Sequence, residues 1–175
     1  VKETWLHSEL IHQGPIFRIR TGRVQLEDGT ESYREIVEHG GGVGIVPMLD
    51  DRVILVRQYR AAINADVLEI PAGRLEPEDD PEQRAHTELE EECGYRAGRL
   101  VHVASCYCSP GFTNERDEIY LAFDLTKTEQ RLEFDERIEI VEIPISELDE
   151  RLERLEFDDA KTIIGLRELQ ARLRT

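Results

Sequence analysis

A chain of 175 residues with 22 Lys+Arg against 38 Asp+Glu carries a formal net charge of −16, which sets it against nucleic-acid phosphates and anionic membrane surfaces as partners. The length suits one domain with its own core, and no apolar run approaches the roughly 18 residues that span a bilayer. Three cysteines, Cys93, Cys106 and Cys108, form no disulfide framework and predict a reducing, cytoplasmic setting.

Residues 17–26 alternate apolar and polar, Glu27-Asp28-Gly29-Thr30 supplies turn chemistry, and residues 32–37 extend again, so a hairpin is expected. Gly40-Gly41-Gly42 breaks the pattern. Residues 43–48 and 53–56 are apolar runs around Asp50-Asp51, which predicts a buried antiparallel pair. Asp80 is a good N-cap and Pro81 suits the first helical position, so a helix should run to about Cys93 and stop at Gly94. Ala85, Leu89 and Cys93 form its apolar stripe. Residues 100–108 and 118–123 read as strands, with Cys106 and Cys108 as packing residues. Residues 137–143 alternate charged and apolar groups, as a half-exposed strand does. Ser146 is placed to cap a helix over 147–155, and Asp158-Asp159 to start a last helix reaching about Leu173. Strands mixed with few helices predict an α/β sandwich rather than a βαβ repeat.

The first helix carries the most chemistry. Glu88, Glu91 and Glu92 stand at i, i+3 and i+4, on one helix face beside the apolar stripe. Clustered carboxylates behind a glycine-led loop suit Mg²⁺, Mn²⁺ or Ca²⁺, which prefer oxygen ligands. A solvated acidic face is the other reading of the same spacing.

The segment from Gly73 to Tyr95 resembles the Nudix box: Gly, five residues, Glu, seven residues, then Arg-Glu-apolar-any-Glu-Glu-any-Gly-apolar. Gly73, Glu88, Leu89, Glu91, Glu92, Gly94 and Tyr95 match. Asp79 and Thr87 depart, standing where that family has Glu and Arg. Arg84, four residues before Glu88, is the available substitute guanidinium. The resemblance extends over about residues 15–165. Val56-Arg57-Gln58-Tyr59-Arg60, Leu68-Glu69-Ile70-Pro71-Ala72-Gly73 and Ser109-Pro110-Gly111-Phe112-Thr113 are similar to segments of ADP-ribose pyrophosphatases, as is Asp159-Ala160-Lys161-Thr162.

That resemblance implies a Nudix fold, an α/β/α sandwich of mixed and antiparallel sheets with an N-terminal β-hairpin extension. Residues 1–38 would be the extension and dimerise, and residues 39–175 would be the hydrolase domain. It implies Mg²⁺-dependent hydrolysis of ADP-ribose to AMP and ribose 5-phosphate, with Mn²⁺ as a substitute cation. Another nucleoside diphosphate sugar such as GDP-mannose, or a non-catalytic ADP-ribose-binding module, are the alternatives. By resemblance Glu88, Glu92 and the Ala72 carbonyl hold metal, and Glu91 does so directly or through water and counts with Glu133 and Glu136 among the catalytic carboxylates. Glu136 aligns best with the acidic-loop residue that acts as general base or added ligand, with Glu133 and Asp135 as alternatives. Arg34 and Arg60 would meet the diphosphate or terminal ribose, Glu69 the ribose or a metal, and Phe17 the adenine. Arg34 would do so at the neighbouring subunit of a homodimer. Each of these residues also has a plain reading as core, ion pair or solvated loop.

Overall fold

The computed structural model describes residues 2–174. Its elements run, in chain order, β1 (Thr4–Gln13), β2 (Phe17–Gln25), β3 (Glu31–His39), β4 (Gly42–Leu49), β5 (Arg52–Arg60), β6 (Ala65–Glu69), β7 (Ala72–Arg74), α1 (Pro81–Cys93), β8 (Tyr95–Tyr107), β9 (Arg116–Lys127), β10 (Ile138–Pro144), α2 (Ile145–Glu153) and α3 (Ala160–Leu173). They fall into two compact units. One holds the chain up to Gly41 together with Tyr107–Arg116, and the other holds Gly42–Cys106 and everything from Asp117 onward.

In the first unit β1, β2 and β3 form an antiparallel sheet in that order. The expected hairpin is β2–β3, turning at Gly29 with φ 84°. β1 falls within the stretch 1–38 expected as a β-strand extension, but no alternation marks its bounds, because its residues lie almost wholly exposed. The Ser109–Thr113 stretch is attached to β3, where the Val37 amide donates to the Phe112 carbonyl at 2.8 Å and Asn114 Oδ1 accepts from the His39 amide at 2.8 Å.

The second unit is built on a mixed sheet in the order β10-β5-β4-β9-β8, with β6 paired to β5 and β7 to β4. β4 and β5 are the expected antiparallel pair, closing through Met48 and Val53. β4 and β9 run parallel. Alternate residues of the central strands face opposite layers. Val46, Val53, Leu55, Ile119 and Leu121 pack with Leu148, Leu152, Leu166 and Leu169 from α2 and α3. Val43, Ile45, Ile54, Val56 and Tyr120 pack with Ala85, Leu89 and Cys93 from α1. Both faces are covered, which is why these strands read as unbroken apolar runs. The result is an α/β/α sandwich.

Asp80 caps α1 by accepting from the Gln83 amide, and Gly94 ends it at φ 69° in the left-handed region. Asp159 caps α3 in the same way through Thr162. α2 corrects one expectation. Ser146 does not cap it; the helix starts straight from β10 after Pro144, with no side-chain cap, and the Ile145 amide donates to the Asp51 carbonyl at 2.9 Å. Cys106 packs against the core, but Cys108 is exposed and so is not a packing residue. No disulfide joins the three cysteines. No helix among the described residues is long and apolar enough to cross a membrane.

Candidate functional site

The short strand β7 sets the site. Ile70 donates its amide to Thr162 Oγ1 at 2.9 Å, the Pro71 carbonyl accepts from Ile45 at 2.9 Å, and Ala72 donates to Glu92 Oε2 at 3.0 Å. Three consecutive residues are thus fixed by three different elements. Gly73 follows on the β7–β4 ladder opposite Val43. A Cβ at Gly73 would overlap the Glu88 carboxylate, so only glycine lets strand and helix close together here.

On α1, Glu88 and Glu92 are 5% and 3% exposed. That burial removes the reading of a solvated acidic face. Glu91, one step round the helix, is half-buried. Burial pushes the Glu88 carboxyl up to about 7; Arg84 opposes that rise, and the charges of Glu91, Glu136 and Glu133 add to it. Burial likewise pushes Glu92 up to about 8, with Glu88 adding repulsion and the Ala72 hydrogen bond opposing it. The buried Oε1 of Glu88 accepts no hydrogen bond, although it pairs in charge with Arg84 Nη2. Two buried helix carboxylates that share one guanidinium and one backbone amide are a fit for a hard divalent cation, and every candidate donor is oxygen.

Ala72, Gly73, Arg74, Arg84, Glu88, Glu91, Glu133 and Glu136 line one cavity of about 190 Å³. Six residues proposed from sequence therefore converge: five in this cavity, and Glu92 through its bond to Ala72. Glu136 also lines a neighbouring cavity of about 470 Å³ with Arg57, Tyr59 and Asp66. Within the acidic loop Glu136 accepts from the Glu133 amide at 2.9 Å. Asp135 is exposed and lines neither cavity.

The loop is strapped to α1. Thr128 donates its amide to the Gly94 carbonyl at 2.8 Å, Gln130 Nε2 to the Glu92 carbonyl at 2.6 Å, and the Arg131 amide to the Glu91 carbonyl at 2.9 Å. Arg131 also reaches Glu90 at 2.9 Å. These bonds satisfy carbonyls at the helix end, and the sequence gives no warning of them.

The two departures from the box are accounted for locally. Asp79 accepts from the Glu76 amide at 2.9 Å, bracing its own turn, and the Thr87 hydroxyl donates back to the Gln83 carbonyl at 3.1 Å. Arg84 supplies the guanidinium beside Glu88.

Glu69 is 2% exposed, and its two oxygens meet Arg60 Nε and Lys161 Nζ, each at 2.6 Å. Its carboxylate is committed to ion pairs. Sequence reasoning noted the segment 159–162 without assigning it this part. Arg34 and Phe17 lie in the first unit. Arg34 is bound by Glu3 at 2.5 and 2.9 Å, by Ser32 Oγ at 2.7 Å and by the Tyr33 carbonyl at 2.9 Å, so every guanidinium nitrogen is in use. Phe17 is 38% exposed, with its ring 5.6 Å from that of His12, and is not core. A wider cavity of about 870 Å³ in this unit is lined by Trp5, Arg18, Arg20, Arg34 and Glu38 among others. Its charges are paired with one another, Arg18 and Arg20 with Glu38 and Arg34 with Glu3. The smaller cavity instead gathers four carboxylates against two guanidinium groups.

The NUDIX domain family model matches residues 38–165. The chain is 36% identical over 173 residues to an ADP-ribose pyrophosphatase of Bacillus subtilis (strain 168), covering 97% of this chain and 94% of that protein. It is 34% identical over 172 residues to a methanol dehydrogenase activator of Bacillus methanolicus, covering 97% and 93%. A solved structure described as the crystal structure of ADP compounds hydrolase superposes with a TM-score of 0.88 at 24% identity, over 99% of this chain and 95% of that one, and shows the same fold.

Proposed function

The chain belongs to the NUDIX domain family, and on that premise we propose that it hydrolyses ADP-ribose with water to AMP and ribose 5-phosphate. The observation that carries the proposal is the convergence of Glu88, Glu91, Glu133 and Glu136 with the Ala72 backbone in one cavity. Carboxylates gathered and buried without enough positive charge suit a reaction on a phosphate anion only if a cation joins them.

Glu88, Glu92, Glu91 and the Ala72 carbonyl would hold Mg²⁺, with Mn²⁺ able to replace it. When bound, the cation supplies Lewis-acid polarisation of the diphosphate and of the attacking water. Glu136 takes the proton from that water; it is half-buried and lines the same cavity, whereas Glu133 is exposed. Arg60 holds a diphosphate oxygen by charge-assisted hydrogen bonds. Glu69 contributes by holding Arg60. Arg34 and Phe17 are assigned to the substrate by resemblance alone, and a phosphate at Arg34 has to displace Glu3.

We extend the proposal to a cytoplasmic homodimer in which residues 1–38 dimerise. Trp5, Leu6, Leu10, Ile11 and Ile16 are all more than 40% exposed, which supports a partner on that sheet. Light scattering showing a fully active monomer at micromolar concentration would remove the dimer.

The test of the function is direct. Purified protein with ADP-ribose and Mg²⁺ should release AMP and ribose 5-phosphate, separated by chromatography, and chelation should stop the release. Intact ADP-ribose beside cleaved GDP-mannose would keep the reaction and replace the substrate. Binding of ADP-ribose without cleavage of either would leave a binding module.

A further inference from the structure

Glu69 is a fully buried carboxylate between two cations, and the proposed chemistry leaves its second cation, Lys161, unused. Lys161 stands in the first turn of α3, its ammonium 2.6 Å from Glu69 Oε2 and 2.9 Å from Asp159 Oδ1. Asp159 Oδ2 accepts from the Thr162 amide at 2.9 Å and from its hydroxyl at 2.6 Å, and that hydroxyl accepts from the Ile70 amide. The first turn of α3 therefore grips two successive residues, Glu69 through Lys161 and Ile70 through Thr162.

Stability does not explain so elaborate a group. A buried ion-pair cluster is often no more stabilising than apolar residues of similar volume. Its geometry, however, has a specific result. With Oε2 held by Lys161, Glu69 offers Arg60 one oxygen, and the guanidinium binds it through Nε alone. A guanidinium held at Nε presents its two terminal nitrogens together, the edge that pairs with phosphate oxygens. Those terminal nitrogens have no hydrogen-bond partner among the described residues. Glu69, which holds Arg60, stands three residues before Ala72, whose amide donates to Glu92 at 3.0 Å, so Arg60 is anchored to the segment that leads into the carboxylate cluster.

We infer that Lys161 is a positioning residue that, through Glu69, fixes Arg60 with its terminal nitrogens free for the substrate diphosphate. The inference rests on the proposed function for the identity of that ligand. Without Lys161, both oxygens of Glu69 turn to Arg60 and bind it through Nε and one terminal nitrogen. The phosphate-facing edge is then lost, although Arg60 and every residue of the carboxylate cluster remain.

The test is Lys161→Met beside Lys161→Arg, assayed with ADP-ribose and Mg²⁺ and by calorimetric binding of the α,β-methylene analogue of ADP-ribose. Lys161→Met should raise KM and the analogue Kd about tenfold or more, the loss of one charge-assisted contact, with a smaller fall in kcat. Mg²⁺ affinity without nucleotide should stay at the wild-type value, and Lys161→Arg should recover most of the binding. Should Lys161→Met fail to fold, Lys161→Gln keeps one hydrogen bond to Glu69 without the charge and should weaken the analogue in the same direction. A lower Tm with unchanged KM and Kd in the folded variant would mean a structural anchor only and overturns the inference. A wild-type protein that neither cleaves ADP-ribose nor binds its analogue sinks the functional reading and this inference together. A wild type that does both, beside a Lys161→Met variant with unchanged values, sinks the inference alone.

Discussion

Arg84 and Glu88 form an ion pair across one turn of α1, at a site where the box pattern otherwise places its arginine directly before the glutamate. Four residues are a little more than one helical turn, so Arg84 overlies the Glu88 carboxylate, whereas Thr87 is exposed on the helix surface. The guanidinium beside Glu88 thus comes from three positions earlier in the helix than the box pattern places it.

Arg84→Gln should therefore push the Glu88 carboxyl above its present level of about 7, because burial is left less opposed. Protonation then competes with the cation. Mg²⁺ binding followed by calorimetry should weaken at neutral pH, about tenfold for each unit of rise, and recover as the pH is raised. Adding Thr87→Arg to the same protein should return the affinity. Tighter Mg²⁺ binding in Arg84→Gln would show instead that Arg84 competes with the metal.

On the proposed reading, Glu92→Gln should lower turnover by at least about a hundredfold, since it would remove a charged metal ligand that acts on the transition state. The amide oxygen can still accept from Ala72. The metal-free protein should not lose Tm at neutral pH, because burial already keeps the Glu92 carboxyl largely protonated and the amide replaces one neutral group by another. Near-wild-type turnover at saturating Mg²⁺ would take Glu92 out of the metal site.

The raised carboxyls also fix a sign for pH. Glu88 and Glu92 rise from 4.5 to about 7 and about 8 on folding, so between those limits the folded chain holds protons that the unfolded chain has lost. Stability of chelator-treated protein should be greatest toward the acid end of that window and fall as pH climbs through about 7 and 8. Glu3, Asp28 and Asp149 are shifted the other way, and their effect lies below the window. Mg²⁺ favours the ionised carboxylates, so it should restore Tm at the alkaline end and release protons on binding. Thermal melts across pH, with and without metal, decide this; a flat metal-free profile would count against both shifts.

Glu136→Gln should depress kcat far more than it alters KM, as loss of a base does. Glu133→Gln in parallel separates the two loop carboxylates. A defect confined to Glu133→Gln would transfer the role. Normal rates in both would leave the proton to the helix carboxylates or to solvent.

Much of this was legible in the chain. Asp80, Pro81 and Gly94 mark α1 because capping is a local interaction, and the apolar runs of β4 and β5 announce strands covered on both faces. The spacing of Glu88, Glu91 and Glu92 proposes a carboxylate cluster, but spacing alone leaves a solvated face open, and burial against β7 closes that question. β6 and β7 escaped notice because one has five residues and the other three, too short for a period to register. Ser146 misled because a good capping residue competes with a strand that feeds directly into the helix. Glu69 between Arg60 and Lys161 joins positions 92 residues apart, and no local pattern signals such a pair.

The strap from Thr128 to Arg131 has a polymer-physics consequence. Arg131 is pinned to α1 and Ile138 is paired with Gln58 on β5, so the acidic loop is a short tether anchored at both ends. A tethered group acts at an effective concentration set by chain length, falling roughly as the −3/2 power. Two glycines inserted beside Phe134, which is 95% exposed, lengthen the tether only modestly and should dilute Glu136 by less than about twofold. A rate loss well beyond that dilution would mean that the turn between Glu133 and Glu136 aims the carboxylate, and that reach alone does not deliver it.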